Sequence, residues 1–197
     1  MRTAAPSRIL AAAEQRGFDP RLVADGDEAR ELALSLLPAG ALVAHGGSTT
    51  LEQIGLVDAL AASPVVRYGN AEWLAEDDLE RRLEIRKRNS IFADVYLGSV
   101  QAVVADGRVV GCDAGGSRQG PYVWGPRRVI WIAGENKIVP DLESAFRRLE
   151  EVALPLEDAR IRAAGGHGSS INKLVVYQRE PVAGRTTLIL VRGELGF

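Results

Sequence analysis

Cysteine is almost absent from this chain of 197 residues, where Cys112 stands alone. A single thiol excludes an internal disulfide, a thiolate zinc site and any iron–sulfur cluster held by the chain itself. Histidine is nearly as scarce, with only His45 and His167, so a multi-histidine centre is not expected and no metal ligand set is assigned. Apolar runs are short. None approaches the roughly 20 residues that span a bilayer, and Met1 to Gln15 lacks the apolar centre of a secretory signal. A surplus of one charge is missing too: 24 Lys and Arg offset 26 Asp and Glu, leaving a net charge of -2 and a pI near 5.8. Phosphate-backbone binding normally leaves a basic surplus or stripe, which argues against nucleic acid as a partner. Together these absences point to a protein of the reducing cytoplasm, with neither membrane nor nucleic acid as its partner.

The composition is that of an ordinary globular chain, 46% hydrophobic and 25% charged. At this length one domain can bury roughly 70% of the surface its unfolded chain exposes. Patterning predicts helices over Arg8 to Arg16, capped by Ser7 and closed by Gly17, and along the Ala29, Leu32, Ala33, Leu36, Leu37 face behind Asp25 and Asp27. Strands are expected at Ala41 to Ala44, Val65 to Tyr68, Asp94 to Leu97, Val100 to Val104, Arg108 to Gly111, Val129 to Ala133, Leu174 to Gln178 and Thr186 to Arg192. Asp106-Gly107 marks a hairpin. A long charged helix is expected over Ala71 to Arg88. Another runs from the cap Asp141 through Leu142, Ala145, Phe146, Leu149, Val152 and Ala153 until Pro155 stops it. Strands alternating with helices imply an α/β fold, a mainly parallel sheet flanked by helices with an antiparallel hairpin portion. Residues 1–40 read as an N-terminal helical segment packing on the domain formed by 41–197.

Glycine exceeds its usual share of about 7%, at 21 residues, and its positions suggest chemistry. His45-Gly46-Gly47-Ser48-Thr49-Thr50-Leu51-Glu52 lies between a strand and a helix. Gly46 and Gly47 let the backbone approach a ligand, Ser48, Thr49 and Thr50 supply hydroxyls, and the helix start supplies unpaired N–H groups. A carboxylate or phosphate fits such a loop, at the strand end where open α/β sheets collect ligands. Thr49 and Glu52 also have the spacing of a capping box, which fixes a helix start without a ligand. It is neither a Walker motif nor a dinucleotide fingerprint. Gly115 and Gly116, in the turn from Asp113 to Arg118, either contact the ligand or connect flexibly. Asn136 and Lys137 follow the strand Val129 to Ala133, where a lysine either holds an anion or sits in a surface turn. Glu52 and Asp113 are the acid/base candidates. Cys112 reads as a buried structural thiol, and Gly165 to Ser170 as a flexible connection.

Taken in order, the His45 to Leu56 segment, Ala93-Asp94-Val95, Ala105-Asp106-Gly107, Gly125 to Ile130, Asn136 to Asp141 and the terminal Leu195-Gly196-Phe197 resemble the LUD domain of lactate-utilisation protein C. The resemblance runs from about Ala41 to Phe197. It implies a fold similar to that of the sugar-phosphate isomerases and CoA transferases, and a role in oxidising L-lactate to pyruvate beside iron–sulfur partner proteins. The Gly46 to Thr49 loop resembles the phosphate turn of ribose-phosphate isomerases, and Lys137 their lysine after a buried strand. Their acidic catalytic cluster is not matched, since Ser99-Val100-Gln101-Ala102 occupies that stretch. Many relatives carry cysteines where Ala159 to Lys173 has none. The resemblance therefore implies that this chain binds no cofactor and that iron–sulfur clusters reside in partner subunits. Its own expected role is to bind a small carboxylate or phosphorylated ligand or to assist assembly. A stand-alone enzyme acting on a small anion, or an interaction protein with a vestigial pocket, are the alternatives.

Overall fold

A computed structural model describes residues 6–197; the first five residues of the N-terminal segment, and of the stretch read for a signal, lie outside the described residues. A six-stranded parallel sheet forms the centre, in the order β1 (Asp19–Val23), β10 (Thr186–Val191), β7 (Arg128–Gly134), β4 (Val95–Gly98), β2 (Leu42–His45) and β3 (Arg67–Tyr68). A second, mixed sheet runs β8 (Ile138–Val139), β5 (Ala102–Val104), β6 (Val109–Asp113) and β9 (Lys173–Tyr177). The expected α/β class, mainly parallel with an antiparallel hairpin, is what is observed. β5 and β6 form that hairpin about Gly107, whose φ of 86° suits only glycine without strain.

Period-two alternation along β7 divides the core. Ile130 and Ile132 face one way, onto α2 (Gly26–Ser35), α3 (Thr49–Gln53) and α4 (Leu56–Ala62) through Ala29, Ala33, Leu51 and Leu60. Val129, Trp131 and Ala133 face the other, meeting Ile9 and Ala13 of α1 (Pro6–Gln15), Tyr122 of α7 (Gln119–Val123), and Val103 and Val109 of the second sheet. The far side of the second sheet is sealed by Ala145 of α8 (Leu142–Arg148) and by Leu149. The inner strands β2, β4 and β7 are thus buried on both faces, which explains why they read as nearly unbroken apolar runs.

Several local expectations need correction. Ser7 lies inside the first turn of α1 instead of capping it. The long helix expected over Ala71 to Arg88 is two helices, α5 (Gly69–Leu74) and α6 (Leu79–Ile91). Asp78 breaks the run because its carboxylate caps α6, accepting from Arg81 N at 2.9 Å. Pro155 does not stop the last helix. A π-type turn over Leu149–Ala153 widens the backbone, and Pro155 then falls in the first turn of α9 (Leu154–Ala163), where a missing N–H is tolerated. β1, which the patterning leaves unassigned, pairs with β10, and β8 pairs with β5.

Candidate functional site

The carboxyl ends of β2, β4 and β7 open onto one cleft, about 580 Å³ with the open solvent at its mouth included. Lys137 lies in its wall, at the end of the 3-10 turn Glu135–Lys137 that follows β7, and only 1% of its surface is exposed. Its Nζ donates to Ser99 Oγ at 2.8 Å and to Thr50 Oγ1 at 3.0 Å. Ser99, directly after β4, donates in turn to the Ile132 carbonyl at 2.7 Å. The ammonium therefore has two hydroxyl partners and no carboxylate. Burial, reinforced by the positive Arg148 and Arg118, pushes the Lys137 amine down to about 7.

Arg148 does not line the cleft but adds positive character from behind its wall. It is 9% exposed and donates only to carbonyls, Gln101 O at 2.7 Å and Asn136 O at 3.2 Å. Arg118 is held against the opposite wall. Its backbone N and its guanidinium both meet Asp113 Oδ2, at 2.8 and 3.7 Å, and it reaches the carbonyls of Gly47 and Cys112. The outer cleft carries Arg160, ion-paired to Glu157 at 2.7 Å, with Ser169 and Ser170 beside them.

The residues singled out from sequence fare unequally. Gly47, Ser48, Thr49, Thr50, Asp113 and Lys137 share this cleft. Ser48, not Thr49, caps α3, accepting from Leu51 N at 3.3 Å, so the Thr49–Glu52 capping box does not form. α3 has only five residues, and the ligand-facing groups of this loop are its hydroxyls more than a helix terminus. Gly46 lies just behind the wall, where a Cβ would collide with the Arg118 side chain. Glu52 is exposed and outside the cleft. Asp113 is committed to clamping Arg118, which removes it as a free base. Gly115 and Gly116 instead line a neighbouring groove beside Arg86 and Ser90. Asn136 faces away from the cleft and pins the Leu195-Gly196 strap, accepting from Leu195 N at 3.1 Å and donating to Gly196 O at 3.0 Å.

Sequence reading missed Ser99, Arg118 and Arg148 as site residues. Ser99 carries a usable signal, a serine at the carboxyl end of a buried strand. Arg148 carries none, since it sits on a helical face among other charged positions. Cys112, also in the cleft wall, has its thiol pushed up to about 11 by burial, so it is a poor thiolate and no cluster ligand set surrounds it. Among the described residues no group of three or more His, Cys, Asp or Glu is placed to hold a metal, and no helix is long and apolar enough to cross a membrane.

Residues 7–174 match the LUD domain. The chain belongs to the LUD domain family. Among solved structures, it is similar to a DUF162 family protein from Deinococcus radiodurans, with a TM-score of 0.54, 14% identity, and coverage of 96% of this chain and 99% of that one. At that identity the likeness is one of fold. No curated protein sequence matches the chain. For a LUD domain the placement of Lys137, Ser99 and Thr50 at the strand ends is where the α/β architecture concentrates ligands.

Proposed function

We propose that this LUD domain binds a small carboxylate or phosphorylated ligand in the Lys137 cleft and supports the oxidation of L-lactate to pyruvate, with iron–sulfur partner proteins carrying the electrons. The observation that carries the ligand reading is a buried lysine and a buried arginine, Lys137 and Arg148, with no carboxylate to neutralise either. A buried cation without a counter-charge is costly, and an incoming anion supplies the missing charge. Gly47, Ser48, Thr49 and Thr50 then provide backbone and hydroxyl contacts, while Arg118, clamped by Asp113, closes the other wall.

The lactate reading rests on the resemblance of the ordered motifs to lactate-utilisation protein C, and with it comes the proposed similarity to the sugar-phosphate isomerase and CoA transferase fold. Cys112 alone cannot hold a cluster, so electrons would pass through partners.

Thermal denaturation with millimolar lactate, pyruvate, phosphate and ribose phosphate tests the ligand. At least one is expected to raise Tm in proportion to RT ln(1 + [L]/Kd), and Lys137→Met to abolish the rise. No shift with any of the four refutes the anion site. The partner role is tested by affinity capture from the native host: a brown eluate with acid-labile sulfide is expected, and a colourless one refutes it.

A further inference from the structure

The chain has 21 arginines and only three lysines, Lys87, Lys137 and Lys173. Lys87 and Lys173 are exposed, and the single buried lysine sits in the cleft at the sheet's carboxyl edge. If this position only had to hold positive charge against an anion, arginine would serve, as Arg148 and Arg118 do nearby. A guanidinium is always charged and does not become a nucleophile, whereas an amine can lose its proton and attack a carbonyl. The surroundings of Nζ suit the neutral amine. Its partners are hydroxyls that can accept or donate, and the nearby charges are positive.

We propose that Lys137 forms a reversible imine with the carbonyl carbon of a small α-oxo acid bound in this cleft. The neutral Nζ attacks the carbonyl carbon, and its proton passes through the Ser99 and Thr50 hydroxyls to the carbonyl oxygen, giving a carbinolamine. The nitrogen lone pair then forms the C=N bond as the C–O bond breaks, and the second N–H proton passes through the same hydroxyls to the departing oxygen, which leaves as water. One amine and one carbonyl become one imine and one water, with no change of oxidation state. Arg118 lines the cleft and holds the substrate carboxylate, with Asp113 keeping it in position, while Arg148 adds positive field from behind the wall. The Leu195-Gly196 strap covers the amine from above: Gly196 N donates to Gln53 Oε1 at 2.7 Å, and Gly196 leaves no space for a Cβ against Thr50 Oγ1. Such a cover keeps bulk water off the amine.

This proposal rests on the anion-site reading, and one experiment separates them. The full chain is incubated at about pH 8 with pyruvate or lactate, with sodium cyanoborohydride added, and lysine modification is mapped by peptide mass spectrometry while Tm is followed in parallel. An amine at about 7 is free on the order of 100-fold more often at that pH than an ordinary solvated lysine. Carboxyethylation with pyruvate is therefore expected to concentrate at Lys137 over Lys87 and Lys173, and to be absent with lactate, which has no carbonyl. Lys137→Arg, which has no nucleophilic amine, is expected to lose the adduct. A Tm rise with both acids but no preferential label at Lys137 overturns the imine and leaves the anion site standing. No rise and no label overturns both. A label at Lys137 with a Tm rise from pyruvate but none from lactate supports the imine and confines the site to α-oxo acids.

Discussion

Replacing Lys137 by methionine should make the protein more stable at low pH and less stable at high pH. The sign follows from the direction of the amine's shift. In the folded state the amine lies near 7, against 10.5 for a solvated lysine. Between those two values the unfolded chain binds the extra proton and the folded chain does not, so stability rises with pH across that window. The penalty is fully present below about pH 7 and is relieved as pH approaches 10.5. A fall of that size corresponds to about 5 kcal/mol, or 1.36 kcal/mol for each pH unit. Methionine removes that penalty along with two hydrogen bonds, each worth about 1 kcal/mol. Thr50 Oγ1 and Ser99 Oγ, 3.2 Å apart, can still pair with each other. The variant is therefore expected to be about 3 kcal/mol more stable than the parent at pH 6 and about 2 kcal/mol less stable near pH 10.5. The assay is urea denaturation of both proteins from pH 6 to 10. Taking the difference cancels the titration of every group the two share. A difference that stays constant across that range would show that Lys137 keeps an ordinary amine, paired or solvated, and would refute the reasoning.

Anion binding at about pH 8.5 should take up close to one proton per site, because a bound anion draws the Lys137 amine back toward its charged form; calorimetry in buffers of different ionisation enthalpy reads this, and zero uptake counts against Lys137 as the anion's partner. Arg185→Ala strands Glu180, whose buried carboxylate meets Arg185 at 3.1 Å and Thr186 Oγ1 at 2.7 Å, and should cost about 3–5 kcal/mol in urea denaturation. Cys112 should react with iodoacetamide at about pH 8 on the order of 100-fold more slowly than free cysteine, since its thiol is raised to about 11; equal rates would show that it is neither buried nor shifted. Glu52→Gln should leave ligand-induced Tm shifts unchanged, since Glu52 points to solvent outside the cleft.

Elements that announce themselves locally were legible. Val129 to Ala133 is apolar throughout because β7 is buried on both faces, and Asp106-Gly107 marks its hairpin because Gly107 needs a positive φ. Elements that owe their state to distant partners were not. β1, Asp19–Val23, contains a proline and an arginine and has no strand pattern; pairing with β10, more than 160 residues away, makes it a strand. Pro155 stops an isolated helix, but here Leu149 packs on the second sheet and Ala153 is buried, and the helix continues through a π turn.

The absences settled much before any folding. One cysteine, two histidines, balanced charge and no long apolar run exclude disulfides, thiolate metal sites and clusters within this chain, because those need groups it does not have. The Gly46 to Thr50 loop and Lys137 were also visible, each as a motif with two meanings. Only the tertiary structure shows where these groups sit. Lys137 is 87 residues from Thr50 and 38 from Ser99 along the chain, and the parallel sheet brings all three to one carboxyl edge. The same folding buries the lysine without a carboxylate and ties Asp113 to Arg118, leaving Glu52 in water. Burial and partner choice are properties of the assembled core, so no local pattern could encode a lysine amine buried in the cleft without a carboxylate.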